Sequence, residues 1–159
     1  LVPYAASAGI RWAGVWALSL VGLVSVGSRI LLGAVADRIG SVRVFVASSV
    51  AMGVMLLALP AARTPALLFG FAALFAVGFG GNGALLSVLP AELFGVANIN
   101  AVFGLTLSAF AVSALVAPPL AGLSFDVLGT YAPAFTGAGA LGVFGAALVA
   151  VAGRLEGAL

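Results

Sequence analysis

Apolar residues run along this chain in blocks of about twenty, and short polar or proline-bearing links separate the blocks. A helix that crosses a bilayer needs roughly 20 mainly apolar residues. Five segments meet that length: Trp12 to Leu32, Val42 to Leu59, Ala66 to Leu89, Ala97 to Leu123 and Ala134 to Ala152. Pro60 closes the second, Pro65 and Pro90 bracket the third, Pro118 and Pro119 lie near the far end of the fourth, and Pro133 precedes the fifth. The blocks are apolar on all sides, unlike the single stripe of an amphipathic surface helix. They do not alternate in ten-residue pieces, as the strands of a membrane barrel do. The expected fold is all-α and integral to the membrane.

The links predicted by this pattern are short: Ala34 to Ser41, Pro60 to Pro65, Pro90 to Val96 and Ser124 to Pro133. Short links make sequential helices antiparallel and leave no room for a soluble catalytic domain. Leu1 to Ile10 is apolar but too short to span, and it lacks the basic leader of a signal peptide. It reads as the tail of a sixth span. The expectation is five complete spans plus that tail, in a fragment of a longer protein.

Composition sharpens this picture. Of 159 residues, 64% are hydrophobic and 6% charged, against about 25% charged in soluble domains. Mean hydropathy is +1.34. The net charge of +2 comes from six arginines against four acids, with no basic run of the kind nucleic-acid binding needs. Cysteine and histidine are both absent, which removes thiolate chemistry and the commonest metal ligand. No metal, cofactor or enzymatic site is expected. Twenty-two glycines fit close packing of membrane helices; Ala76, Gly80 and Ala84 form one row of small residues, and Ala138, Gly142 and Ala146 another.

Charge also sets orientation, because basic residues favour the cytoplasm. Arg29, Arg38, Arg43 and Arg154 fall on one side and Arg11 and Arg63 on the other. Four against two puts the stretch GSRILLGAVADRIGSVR (residues 27 to 43) and the C-terminus inside. Arg29 is the one ionisable side chain placed within a span, and such a residue is a functional hypothesis by default. Glu92, Asp126 and Glu156 fall in links or the tail, and Asp37 in the charged turn, so no acid lies at mid-membrane to carry a proton.

Gly33, Asp37, Arg38, Gly40 and Arg43 spell G-x-x-x-D-R-x-G-x-x-R between two spans. This form resembles the signature loop of the major facilitator superfamily of secondary transporters, with Ser41 where that pattern usually has another basic residue. FGGNGALLSVLPAELFGVANINAVFG (79 to 104), PPLAGLSFDVLGTYAPAF (118 to 135) and LVPYAASAGI (1 to 10) are similar to the branch containing oxalate/formate antiporters and monocarboxylate transporters. The resemblance covers essentially the whole chain. It implies the C-terminal half of a twelve-helix carrier, from late helix seven to helix twelve, with a missing six-helix N-terminal half as partner. It also implies a bacterial inner-membrane home. The charged turn would serve as a cytoplasmic gating loop that latches one conformation.

Within that resemblance, Arg29 and Gly33 match an R-x-x-x-G form implicated in binding the substrate carboxylate. A planar guanidinium suits a carboxylate because it meets it with two parallel hydrogen bonds. Animal monocarboxylate carriers tend to have an acid one turn earlier; here Ser25 stands there. Asn82, among Gly80, Gly81 and Gly83, is a second substrate candidate; two readings stand equal, a glycine-opened kink that exposes backbone carbonyls to a cavity and a hydrogen bond from the amide to a neighbouring helix. Thr106 and Ser108 are candidates from the fourth span, although such hydroxyls more often bond their own helix. The function expected is alternating-access transport of a small organic anion, such as a mono- or dicarboxylate. The alternatives are a drug or metabolite exporter of the same superfamily and a non-transporting membrane subunit.

Overall fold

A computed structural model describes residues 1–155; Glu156 and the cytoplasmic C-terminus expected after it lie outside the described residues. Seven α-helices follow in order: α1 (Val2–Ser7), α2 (Arg11–Ile39), α3 (Ser41–Ala58), α4 (Pro65–Leu85), α5 (Leu89–Phe94), α6 (Ile99–Leu128) and α7 (Ala132–Leu155). Short 3₁₀ turns cover Leu59–Ala61 and Val96–Asn98. No strand occurs among the described residues. The helices α2, α3, α4, α6 and α7 are long and apolar enough to cross a membrane. The fold is an all-helical membrane bundle.

Helix boundaries depart from the sequence expectation where a boundary had been read from a charge or a proline. The helix α2 does not stop near Leu32 but continues to Ile39. Asp37 and Arg38 carry no helix-breaking geometry, so the chain stays helical until Gly40, whose φ of 96° takes a conformation most residues avoid. Gly33, Asp37 and Arg38 therefore lie in the last turns of α2, and Arg43 lies in the first turn of α3. Of the charged-turn residues, Gly40 alone is a link.

The Pro90 region differs as well. The helix α4 ends at Leu85, and Leu89–Phe94 forms a separate short helix with Pro90 in its first turn. A proline is tolerated there because its missing N–H has no partner to lose. Pro65 opens α4 in the same way, behind Thr64, whose hydroxyl accepts from Leu67 N at 3.4 Å. The helix α6 continues through Pro118 and Pro119 to Leu128.

Packing centres on α4. It lies along α2 on one side and against α3 on the other, while α3 also lies along α7. Small residues make these approaches close. A Cβ added at Gly80 would collide with the Ser28 side chain and the Ser25 carbonyl, and one at Gly81 with Leu32. On the α3 side, a Cβ at Gly78 would fall 2.6 Å from Met52 Cγ and 3.0 Å from Ser48 O. Between α3 and α7, Gly53 and Gly139 face each other at similar range. Ala146 is buried in this seam, whereas Ala138 is exposed. Gly142 and Ala146 thus hold the places in the row read from the sequence, and Gly139 takes the contact in place of Ala138. In contrast, no residue of α6 is buried among the described residues.

The core divides into two clusters at opposite ends. One gathers Tyr4, Ala13, Val21, Leu59, Leu68 and Phe71. The other, at the Gly40 end, gathers Ala36, Val42, Val44, Leu85, Leu89 and Leu93. Tyr4 ties the first cluster together: its hydroxyl donates to Leu59 O at 2.9 Å and lies within 3.2 Å of Pro60 O.

Candidate functional site

The seam between α2 and α4 is built from hydroxyls and glycines. Ser25 and Ser28 of α2 are buried in it. The Ser28 hydroxyl donates within its own helix to Ser25 O at 3.0 Å and lies 3.2 Å from Ala76 O of α4. Gly80 and Gly81 let the backbones meet at this level. Ser25 itself satisfies its hydroxyl locally, on Gly22 O at 2.8 Å.

Arg29 follows Ser28 directly and emerges at the edge of this seam with an exposed side chain. Its guanidinium lies beside Gly83: a Cβ built there would stand 3.8 Å from Nη2 and 3.9 Å from Nε. The helix α2 runs for 29 residues, about 44 Å at 1.5 Å per residue, so its midpoint falls at Ser25. Arg29 is four residues past that point, about 6 Å along the axis. Asp37 is eight residues further along the same helix, off the three- and four-residue spacing at which helical side chains meet.

Asn82 precedes Gly83 but faces the other way. Its Oδ1 accepts a short hydrogen bond from the Ser48 hydroxyl, and its Nδ2 donates to Ser49 Oγ at 2.8 Å. Met52 Sδ lies 3.6 Å from the same nitrogen. All these partners belong to α3. The glycines around Asn82 do not interrupt α4, which runs on to Leu85, and Leu86 N still bonds Asn82 O at 2.9 Å. They serve close packing instead. The amide forms part of the floor of a cavity of about 340 Å³ between α3 and α7, whose other walls are mostly apolar.

Thr106 and Ser108 bond their own helix, Thr106 to Val102 O at 2.8 Å and Ser108 to Gly104 O at 2.9 Å. Thr106 lines a separate cavity of about 170 Å³ with Phe45, Leu89 and Val149. Ser108 is exposed on α6. The four substrate candidates named from the sequence therefore do not converge. Arg29 stands on one flank of α4, the Asn82 amide on the other, and the two α6 hydroxyls elsewhere.

At the Gly40 end, the side chains of Asp37, Arg38 and Arg43 are exposed. Ser41, buried at the start of α3, donates its hydroxyl to Glu92 Oε1 of α5 at 2.7 Å. A carboxylate at this place also faces the positive end of the α3 dipole. Sequence reasoning placed Glu92 in a link without assigning it a partner. No pair of residues pointed to this bond, since Glu92 lies 51 positions from Ser41. No group of three or more His, Cys, Asp or Glu residues is placed to hold a metal among the described residues.

No family model matches the chain. Curated proteins do match it over nearly its whole length. Monocarboxylate transporter 12 of Mus musculus is 32% identical over 154 residues, covering 94% of this chain and 32% of the relative. The Homo sapiens protein of the same name is 30% identical over 157 residues, covering 96% of this chain and 30% of its own length. Monocarboxylate transporter 10 of Danio rerio is 30% identical over 135 residues, or 83% of this chain and 27% of the relative. The chain spans about a third of the length of the curated relatives it matches.

Proposed function

We propose, for a chain related to the monocarboxylate transporters and so of the major facilitator type, that it forms the C-terminal half of a secondary carrier for small organic anions. A six-helix N-terminal half would complete the carrier, and the two halves would rock about a central site by alternating access. The Gly40 end would face the cytoplasm, with Gly33, Asp37, Arg38, Gly40 and Arg43 acting at the closing surface. A bacterial inner membrane is the setting that fits the sequence resemblance.

The observation that carries this reading is Arg29. A charge near the middle of a spanning helix is costly unless it pairs or meets water or substrate. Here the guanidinium is exposed over a glycine, with its donors available on the open side. A mono- or dicarboxylate supplies the matching acceptors. Among the described residues the acids are Asp37, Glu92 and Asp126, and none is at mid-span. Exchange of one anion for another needs no such group in this half, and an antiporter fits that requirement.

Asn82, whose polar atoms already engage α3, acts in this reading as a fastener between helices. The Thr106 and Ser108 hydroxyls are engaged by carbonyls of their own helix. The test is uptake of lactate, formate and oxalate by the complete carrier carrying Arg29→Gln or Arg29→Lys. The expected result is a loss of kcat/KM of about a hundredfold or more for Arg29→Gln, the scale of one buried charged hydrogen-bond pair. Full uptake of all three acids by Arg29→Lys would sink the clamp and favour an exporter of another substrate class.

A further inference from the structure

We propose that the end of the bundle away from Gly40 holds a phosphate group, bound by the Arg63 guanidinium and the hydroxyls of the α6–α7 link. The site is separate from Arg29 and depends neither on that residue nor on which acid is carried. A cavity of about 370 Å³ opens there between α1, the α3–α4 link and the α6–α7 link. Tyr4, Ser7, Pro60, Arg63, Thr130 and Tyr131 are among its walls. Unlike the apolar cavity beside Asn82, it is lined largely by polar groups. Arg63 is the only charged residue in the lining, which contains no acid. Asp126, three residues before Gly129, is exposed and outside it.

The walls are fixed before any ligand arrives. Gly129 ends α6 at a φ of 67°, in the left-handed region, and the Ser124 hydroxyl donates to Thr130 O at 3.1 Å. The Tyr131 ring stacks on Phe125 at 4.6 Å and packs against Phe135 at 6.2 Å. Tyr4 meets Phe135 edge-on at 5.5 Å. The hydroxyl protons of Tyr4 and Ser7 are committed to backbone carbonyls. Thr130 Oγ1 accepts from Ala132 N at 3.2 Å, which leaves its own proton to donate. The polar side chains left for a ligand are thus Arg63, Thr130 and Tyr131, and all three can donate.

Electrostatics selects the partner. The helix α4 starts at Pro65, two residues after Arg63, and α7 starts at Ala132, within the lining itself. A helix start carries about half a positive charge, so Arg63 stands where that field disfavours a cation. A bound anion turns the repulsion into attraction. Local conflicts of this kind are expected at functional sites. A flat carboxylate would present its oxygens to one side. The donors here come from two separate links, and a tetrahedral phosphate offers acceptors to both.

The test titrates inorganic phosphate into the purified complete carrier in detergent at fixed ionic strength, with the dissociation constant read from phosphorus NMR line broadening. Arg63→Gln should weaken binding about tenfold or more, the scale of one charged hydrogen bond. Arg63→Lys, which keeps the charge and loses the fork, should fall between. Arg11→Gln, outside the lining, and Arg29→Gln should leave the constant unchanged. Native mass spectrometry of the same preparations distinguishes the source of the group. A phospholipid held by the unmodified carrier and lost in Arg63→Gln identifies a lipid headgroup. Phosphate binding without such a lipid identifies a free anion. The proposal is overturned if neither is seen, if Arg63→Gln retains full binding, or if Arg11→Gln or Arg29→Gln weakens it as much as Arg63→Gln. A failed carboxylate clamp at Arg29 would leave these outcomes untouched, because they are read without transport.

Discussion

The two flanks of α4 carry neighbouring residues with opposite fates. On the flank facing α3, Asn82 finds Ser48, Ser49 and Met52 within reach, and both ends of its amide are occupied. On the flank facing α2, Gly83 offers nothing, and the guanidinium beside it stays open. In an apolar medium a polar group seeks any internal partner available. A side chain that has found its partners is structural, and one left open is available to a ligand. The difference lies in what the neighbouring helix presents, which the identity of the residue alone does not reveal.

The sharpest way to break this comparison is to separate the α2 flank mechanically. Gly80→Val places branched bulk where the Ser25 carbonyl and Ser28 side chain already sit. Overpacking of a tight seam costs about 1–3 kcal/mol and often more when backbone is the obstacle. The expected outcome is a large fall in membrane abundance and in the melting temperature of the purified carrier in detergent. Normal abundance would mean that the two helices are not in register at Gly80.

A smaller effect belongs to the α3 flank. Asn82→Leu removes two side-chain hydrogen bonds and should cost about 1–2 kcal/mol, seen as a lowered melting temperature with KM for lactate unaltered. A raised KM with unchanged melting would return Asn82 to the substrate site. The smallest change is expected from Ser25→Ala. That hydroxyl bonds only Gly22 O of its own helix, so melting should shift by less than about 0.5 kcal/mol equivalent.

The five spans were legible because length and hydropathy alone specify a crossing helix. Their ends were less so. Asp37 and Arg38 were read inside a link that began at Ala34, yet charged residues continue a helix readily once it reaches water. Pro90 looked like a stop, yet it sits in the first turn of α5, where a proline does no harm. Arg29 stood out as the lone charge in a span. Its seat did not, because Gly83 was read with Gly80 and Gly81 as part of one flexible patch. The geometry gives those glycines separate neighbours, Ser28, Leu32 and Arg29 in turn.

The Tyr4 hydroxyl adds a consequence in time. Its partner at Leu59 lies 55 residues later in the chain. At ordinary synthesis rates of about 5–20 residues per second, that partner is made roughly 3 to 11 seconds after Tyr4. During this interval α2 and α3 emerge, and the tyrosine has no carbonyl of the Leu59 turn to engage. The bond can close only when α3 has returned to the level of α1. It therefore marks the moment in synthesis when the first helices of this bundle are gathered in order.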